Sequence, residues 1–207
     1  MARMIVMDTE TTGLDPNKHD IIQIAVLALS YDFTPDKNIP PFYMLIKPAH
    51  YREGPEYKKE IEPAMNVNKI SLDRLMADGF HPHKASELFE EFWKMLGSQP
   101  LEPICQNYPF DSGFLKAWLG PISYSHYFSR YYRDTYCAAR YIKDRASYMG
   151  EKDPFSEGLG LTKLANALKI EHQGRAHDAL SDCVTTAEVY KRLCTYAGEP
   201  KRVYPTA

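Results

Sequence analysis

Short unbroken apolar runs dominate the first part of this chain, and helical stripes dominate the rest. Residues 4–8 (MIVMD) read as a strand buried on both faces, because the run is short and continuous. Residues 21–31 (IIQIAVLALSY) predict a second, longer strand from their β-branched start, although 25–29 alone fits a helix as well. Residues 42–46 predict a third, so the first three strands fit a meander. Between them, 11–20 is a turn carrying Gly13, Pro16 and Asn17, and 32–41 is a connection with three prolines. Residues 47–63 are polar, mixed in charge and punctuated by proline, which predicts a solvated loop too long for a simple turn.

The rhythm then changes. Ser71 is placed to cap a short helix ending near Gly79. Apolar residues at 85, 88, 89, 92, 93, 95 and 96 draw a helical stripe over 83–96. A short strand at 103–106, a helix over 110–119, a strand at 131–134 and a helix from Thr135 to about 145 follow. After a loop at 147–160 come a short helix at 161–168 and a closing helix from Asp178 to about 196. Strands first, then helices alternating with strands, predict an α/β layered fold: a mixed five-stranded sheet flanked by helices. No linker interrupts it, so residues 1–207 are expected to form one domain.

Composition narrows the function classes. The chain has 207 residues, 44% hydrophobic and 25% charged, which is ordinary for a globular domain with one sizeable core. A formal net charge of −2 supplies no global basic field, so any contact with nucleic acid must be local. The 15 tyrosines are expected mostly in core and interface positions, with 124–136 as a tyrosine-rich candidate partner surface. Cys105, Cys137, Cys183 and Cys194 form no Cys-x-x-Cys pair and are expected as buried free thiols in a reducing compartment. The first residues lead straight into a strand and no apolar run approaches the ~20 residues that span a bilayer. A cytoplasmic protein without membrane contact is expected.

The chemistry starts at the end of the first strand. Asp8 and Glu10, in Asp8-Thr-Glu-Thr-Thr-Gly-Leu14, are two residues apart and point to one side. Two carboxylates aimed one way repel unless a cation sits between them. Asp111 follows strand four at a helix start, and Asp182 lies near the start of the last helix. Ligand sites of open α/β sheets gather at the carboxyl ends of strands, and hard oxygen donors suit Mg²⁺ or Mn²⁺. His177 and Asp182 would stand about 140° apart on one continuous helix. They share a site if Asp178 is the N-cap, with His177 outside the helix and Asp182 in its first turn.

Taken together, Asp8, Glu10, Asp111, His177 and Asp182 resemble the DEDD exonuclease superfamily in its histidine-bearing, DnaQ-like branch. Residues 8–14 resemble its first motif, 107–115 its second and 177–182 its third; Arg133-Asp134-Thr135 resembles the branch's extra aspartate. The resemblance implies a ribonuclease H-like fold, two Mg²⁺ or Mn²⁺ ions and 3′-to-5′ removal of nucleoside 5′-monophosphates. In that scheme Asp8 bridges the ions, Glu10 and Asp182 complete one, and Asp111 supports the other. His177 takes the proton of the attacking water. Thr11 and Leu14 lie against the terminal nucleotide, Phe110 under its sugar or base. Met65 opens a segment that in the family ends His-Gly-Ile but here reads Asn68-Lys69-Ile70.

Each of these residues also has a structural role open to it. Leu14 and Phe110 suit a core equally, Asp111 and Asp134 suit helix caps, His81 and His83 suit a solvated pair, and Arg175 suits the surface as well as a phosphate. The function expected is exonucleolysis at single-stranded 3′ ends, DNA favoured over RNA, with a polymerase or repair partner and a homodimer by analogy. RNA trimming of the oligoribonuclease kind is the enzymatic alternative. A non-catalytic, polymerase-associated nucleic-acid-binding module is the alternative from another class.

Overall fold

The computed structural model describes residues 3–171, 174 and 176–196. Gln173 and Arg175, read above as loop and as a phosphate or surface residue, lie outside the described residues. The chain opens with β1 (Arg3–Thr11), β2 (Ile21–Ala28) and β3 (Phe42–Leu45). Three helices follow: α1 (Pro55–Asn68), α2 (Leu72–Asp78) and α3 (Pro82–Met95). Then come β4 (Leu101–Cys105), α4 (Tyr108–Leu119), α5 (Pro121–Tyr127), β5 (Arg133–Asp134) and α6 (Thr135–Tyr148). Two helices close the fold, α7 (Leu161–Ala167) and α8 (Ala179–Cys194).

The five strands form one mixed sheet in the order β3-β2-β1-β4-β5. The meander holds: β1 to β2 and β2 to β3 are antiparallel, whereas β4 runs parallel to β1, and β5 to β4. Ile5, Met7, Ile24 and Val26 face α3, α4 and α5 and pack on Phe89, Trp93, Phe114 and Tyr127. Val6, Ala25 and Ile104 face the other way, onto Ala179, Cys183 and Ala187 of α8. That helix stripe is small at every fourth residue, so α8 lies close on the sheet: the Cys183 thiol donates to the Ala25 carbonyl at 3.4 Å.

Two sequence expectations require correction. Residues 55–63 are not loop but the first half of α1. Its apolar stripe has one residue per turn, Tyr57, Ile61 and Met65, which is too thin to stand out among charges. Pro63 sits inside the helix, where it removes one N–H but is exposed and disturbs nothing packed. The cysteines also divide: Cys105 and Cys183 are buried, but Cys137 and Cys194 are exposed on the solvent sides of α6 and α8. All four are free thiols. No helix among the described residues is long and apolar enough to cross a membrane.

Candidate active site

Alternation along β1 sends Val6, Asp8 and Glu10 to the α8 side of the sheet. The pairing of β1 with β4 stops at Val6, so the second half of β1 projects beyond β4. A register shift in the β1–β2 ladder falls between Glu10 and Thr11, immediately after the second carboxylate. Such bulges increase local twist and re-aim neighbouring side chains. Into the space past the end of β4 comes α4, whose first turn carries the buried Asp111. Thr9, on the opposite face of β1 from Asp8, donates its hydroxyl to Asp111 Oδ1 at 2.7 Å and fixes that carboxylate against the strand.

From the other side α8 delivers Asp182. Asp178 caps this helix, its side chain accepting from the Ser181 N–H, as the angular argument requires. His177 turns sharply just before it with φ 60°, a left-handed conformation uncommon outside glycine. Its backbone N–H donates to Asp182 Oδ2 at 3.1 Å, so the histidine and the carboxylate are held to one another. The result is a tight group: ligand atoms of Glu10, His177 and Asp182 all lie within 4.8 Å of one another. Glu10 and Asp182 are buried and His177 is exposed at the mouth.

Asp8 lies at the electrostatic centre. Burial pushes its carboxyl well above the usual carboxylate range, and Asp111, Glu10, Asp182 and Asp178 push it further. Burial likewise raises Asp111 to about 7, against the lowering effect of the Thr9 hydroxyl. Crowded oxygen donors, two of them with carboxyls pushed upward, are a fit for a hard divalent cation, which would displace their protons.

The surrounding residues sort into those near the site and those with other work. Leu14 is 83% exposed on the loop after β1, which excludes the core for it. That loop is braced: Thr11 Oγ1 donates to the Gly13 carbonyl, and Thr12 and Asp20 exchange two hydrogen bonds. Gly13 is required there because a Cβ would stand 2.3 Å from the His19 ring. Asn68, where the family has histidine, is buried and donates to the Thr11 carbonyl at 3.2 Å. Lys69, where the family has glycine, holds φ 60°, the left-handed cap conformation a glycine would favour. Met65 packs partly against the small cluster of Ile22, Leu45, Ile70 and Leu75, and Phe110 partly against the main core, 5.0 Å from the Phe114 ring. His81 caps α3 and His83 faces Glu87, so this pair serves its helix.

One contributor carried no sequence signal. Gln23, opposite Glu10 on β2, accepts from the Ala179 N–H at 2.9 Å and donates to Tyr43 and Asp178. The Tyr43 hydroxyl also donates to Asp178, at 3.0 Å. One glutamine therefore ties the strand of Glu10 to the cap of the helix bearing Asp182. Asp134, expected as a helix cap or as the branch's extra aspartate, is a cap: it accepts from four backbone N–H groups, of Asn107, Tyr108, Tyr136 and Cys137. It caps α6 and pins the start of α4, and so acts on Asp111 through the backbone.

A family model described as an exonuclease, of the RNase T type, matches residues 5–190. The chain belongs to the RNase T exonuclease family. Within it the chain falls in the DnaQ-like branch of the DEDD superfamily, a metal-dependent family whose site chemistry agrees with the acid cluster. The chain is 29% identical over 195 residues to a PolC-type DNA polymerase III of Thermotoga petrophila, covering 93% of this chain but only 12% of that protein. It is 25% identical over 201 residues to the 3′-5′ DNA exonuclease Cap18 of Escherichia coli, covering 96% of this chain and 95% of that one. E. coli Exonuclease I, in complex with a dA16 oligonucleotide, superposes with a TM-score of 0.71 at 21% identity, over 95% of this chain and 42% of its own. The shared architecture is ribonuclease H-like.

Proposed function

We propose that this DnaQ-like chain is a 3′-to-5′ exonuclease that releases nucleoside 5′-monophosphates from single-stranded DNA ends. The observation that carries the reading is the convergence of Glu10, Asp182 and His177 within 4.8 Å, beside an Asp8 crowded by every other acid of the site. Asp8, Glu10, Asp111 and Asp182 would hold two Mg²⁺ or Mn²⁺ ions. Bound there, such ions supply positive charge against the phosphate and acidify the attacking water. His177, exposed and set by its own backbone bond to Asp182, accepts that water's proton on a ring nitrogen. As the water oxygen joins phosphorus, the bond to the 3′ oxygen of the preceding nucleotide breaks. That oxygen takes a proton and becomes the new 3′ end.

Leu14 stands free on its loop to wedge against the terminal base, with Thr11 supporting the backbone contact and Phe110 and Met65 flanking. The names of the polymerase III relatives and of Cap18 favour DNA and a replication or repair setting, with a polymerase as partner in trans. A time course on end-labelled single-stranded DNA and RNA of matched sequence, with blocked 3′ ends as control, tests the reading. Single-nucleotide shortening of DNA from its free 3′ end is expected. Internal cuts, 5′-to-3′ polarity or faster loss of RNA would overturn it.

A further inference from the structure

The tyrosine-rich stretch forms part of a cleft that the catalytic group does not use. It is a groove of about 530 Å³ between α4, α5 and the segment leading into β5. Tyr108, Ser112 and Lys116 recur every fourth residue, so one stripe of α4 lines it. Tyr124 from α5, with Arg130 and Tyr132 from the following segment, makes the opposite wall. No carboxylate lines the cleft, and among the described residues neither cation has an acidic partner. Each cation rests instead beside a tyrosine ring: Lys116 Nζ is 4.9 Å from the Tyr124 centroid, and Arg130 Cζ is 4.8 Å from that of Tyr131. The Tyr108 and Tyr124 hydroxyls are hydrogen-bonded at 2.7 Å, and the Tyr108 and Tyr132 rings are 4.7 Å apart, so the wall is braced. Tyr131 and Tyr132 remain about half exposed, at 58% and 47%.

We infer that this cleft is a second binding site, for the 5′-ward nucleotides of the single strand whose 3′ end lies in the acid group. The inference rests on the exonuclease reading for its choice of strand and on its own chemistry for the ligand class. Unpaired cations spaced along exposed aromatic rings match a polymer of phosphates and bases, which stack on tyrosine without regard to sequence. A protein contact would share the tyrosines, Phe128 and Arg130, but lysine is depleted at the centre of such contacts, and Lys116 lines this cleft. Against a net charge of −2, it is a local basic site of the kind a nucleic-acid contact requires. Continuity with the acid group comes through α4: Tyr108 and Ser112, which line the cleft, flank Asp111 within one turn of the same helix.

The test is binding of 5′-fluorescein oligothymidylates of four and twelve nucleotides, by anisotropy in EDTA so that nothing is cleaved. The wild-type chain is compared with Lys116→Gln/Arg130→Gln and with Tyr132→Ala, all surface changes. The wild type is expected to bind the longer strand at least about tenfold more tightly than the shorter. The double variant loses that gain, and its log-log salt slope falls by about 1.4, at about 0.7 for each phosphate contact. Tyr132→Ala weakens the longer strand about fivefold or more. A double variant that keeps the wild-type gain and slope overturns the inference. So does one that changes self-association while the length dependence persists, since the face would then be a protein contact. Hydrolysis in Mg²⁺ without any length gain removes the cleft and leaves the exonuclease reading standing; a length gain without hydrolysis does the reverse.

Discussion

Two groups of aspartates in this fold are held in opposite ways. Asp134 and Asp178 are surrounded by donors: four backbone N–H groups for the first, and Ser181, Tyr43 and Gln23 for the second. Asp8 lies near enough to Asp178 to be repelled by it, and its neighbours are other acids. The capping aspartates are satisfied by the protein and hold helices in place. Asp8 is instead crowded by Asp111, Glu10, Asp182 and Asp178, and its carboxyl is pushed upward by all of them. The same residue type thus serves as scaffold or as ligand according to how many donors reach it.

The largest test of that contrast is catalytic. Asp8→Asn is expected to reduce nuclease turnover to the background of the assay in saturating Mg²⁺, with the fold retained by circular dichroism. Near-normal turnover would move Asp8 out of the site. His177→Ala is expected to lower turnover by roughly 10²–10⁴ with strand binding little changed, measured under single-turnover conditions. Wild-type rates in that variant would mean that another group takes the proton.

Much of this was legible beforehand, for identifiable reasons. The strand-end pair Asp8 and Glu10 follows from alternation alone, and the placement of His177 outside α8 follows from an angle that a continuous helix could not meet. The caps Ser71 and Gly79 fall where residue type puts them. What was hidden depends on partners distant in sequence. Asp134 reads equally as ligand or cap until the start of α4, some two dozen residues earlier, is seen to donate to it. Gln23 is an unremarked polar residue in an apolar run, and its role exists only because α8 begins opposite it, 156 residues on. The first half of α1 was obscured by proline and by a stripe of one apolar residue per turn. Helix α5 was obscured among aromatic residues that carry no helical period.

The scaffold side of the contrast predicts smaller effects. Asp134→Ala removes the acceptor for four N–H groups at two helix starts, and is expected to lower stability by about 1–4 kcal/mol in a denaturant melt. A change within a few tenths would make its bonds dispensable. Gln23→Ala is expected to lower kcat several-fold more than it alters KM, because it loosens α8 without touching substrate; conservative Gln23→Glu, which keeps the acceptor for the Ala179 N–H, restores part of the loss. Equal effects on a stability-matched variant far from the site would reduce Gln23 to ordinary packing.

The central claim is that the four acids form a site incomplete without a divalent cation, and the pH dependence of stability addresses it most directly. Burial raises the Asp8 carboxyl well above its usual range and the Asp111 carboxyl to about 7, so the folded protein retains protons that the unfolded chain has released. The Asp111 contribution therefore becomes increasingly destabilising as pH rises from about 4 through about 7 and levels off above that, and the Asp8 contribution runs in the same direction. Melting temperatures of the EDTA-treated chain and of Asp8→Asn, taken from pH 5 to pH 8 with and without Mg²⁺, measure this. The wild type is expected to lose stability with rising pH in EDTA and to recover it with Mg²⁺, most strongly at pH 8. Asp8→Asn is expected to be more stable than the wild type in EDTA and to respond only weakly to Mg²⁺. Identical pH profiles and an identical Mg²⁺ response in the two proteins would contradict the account.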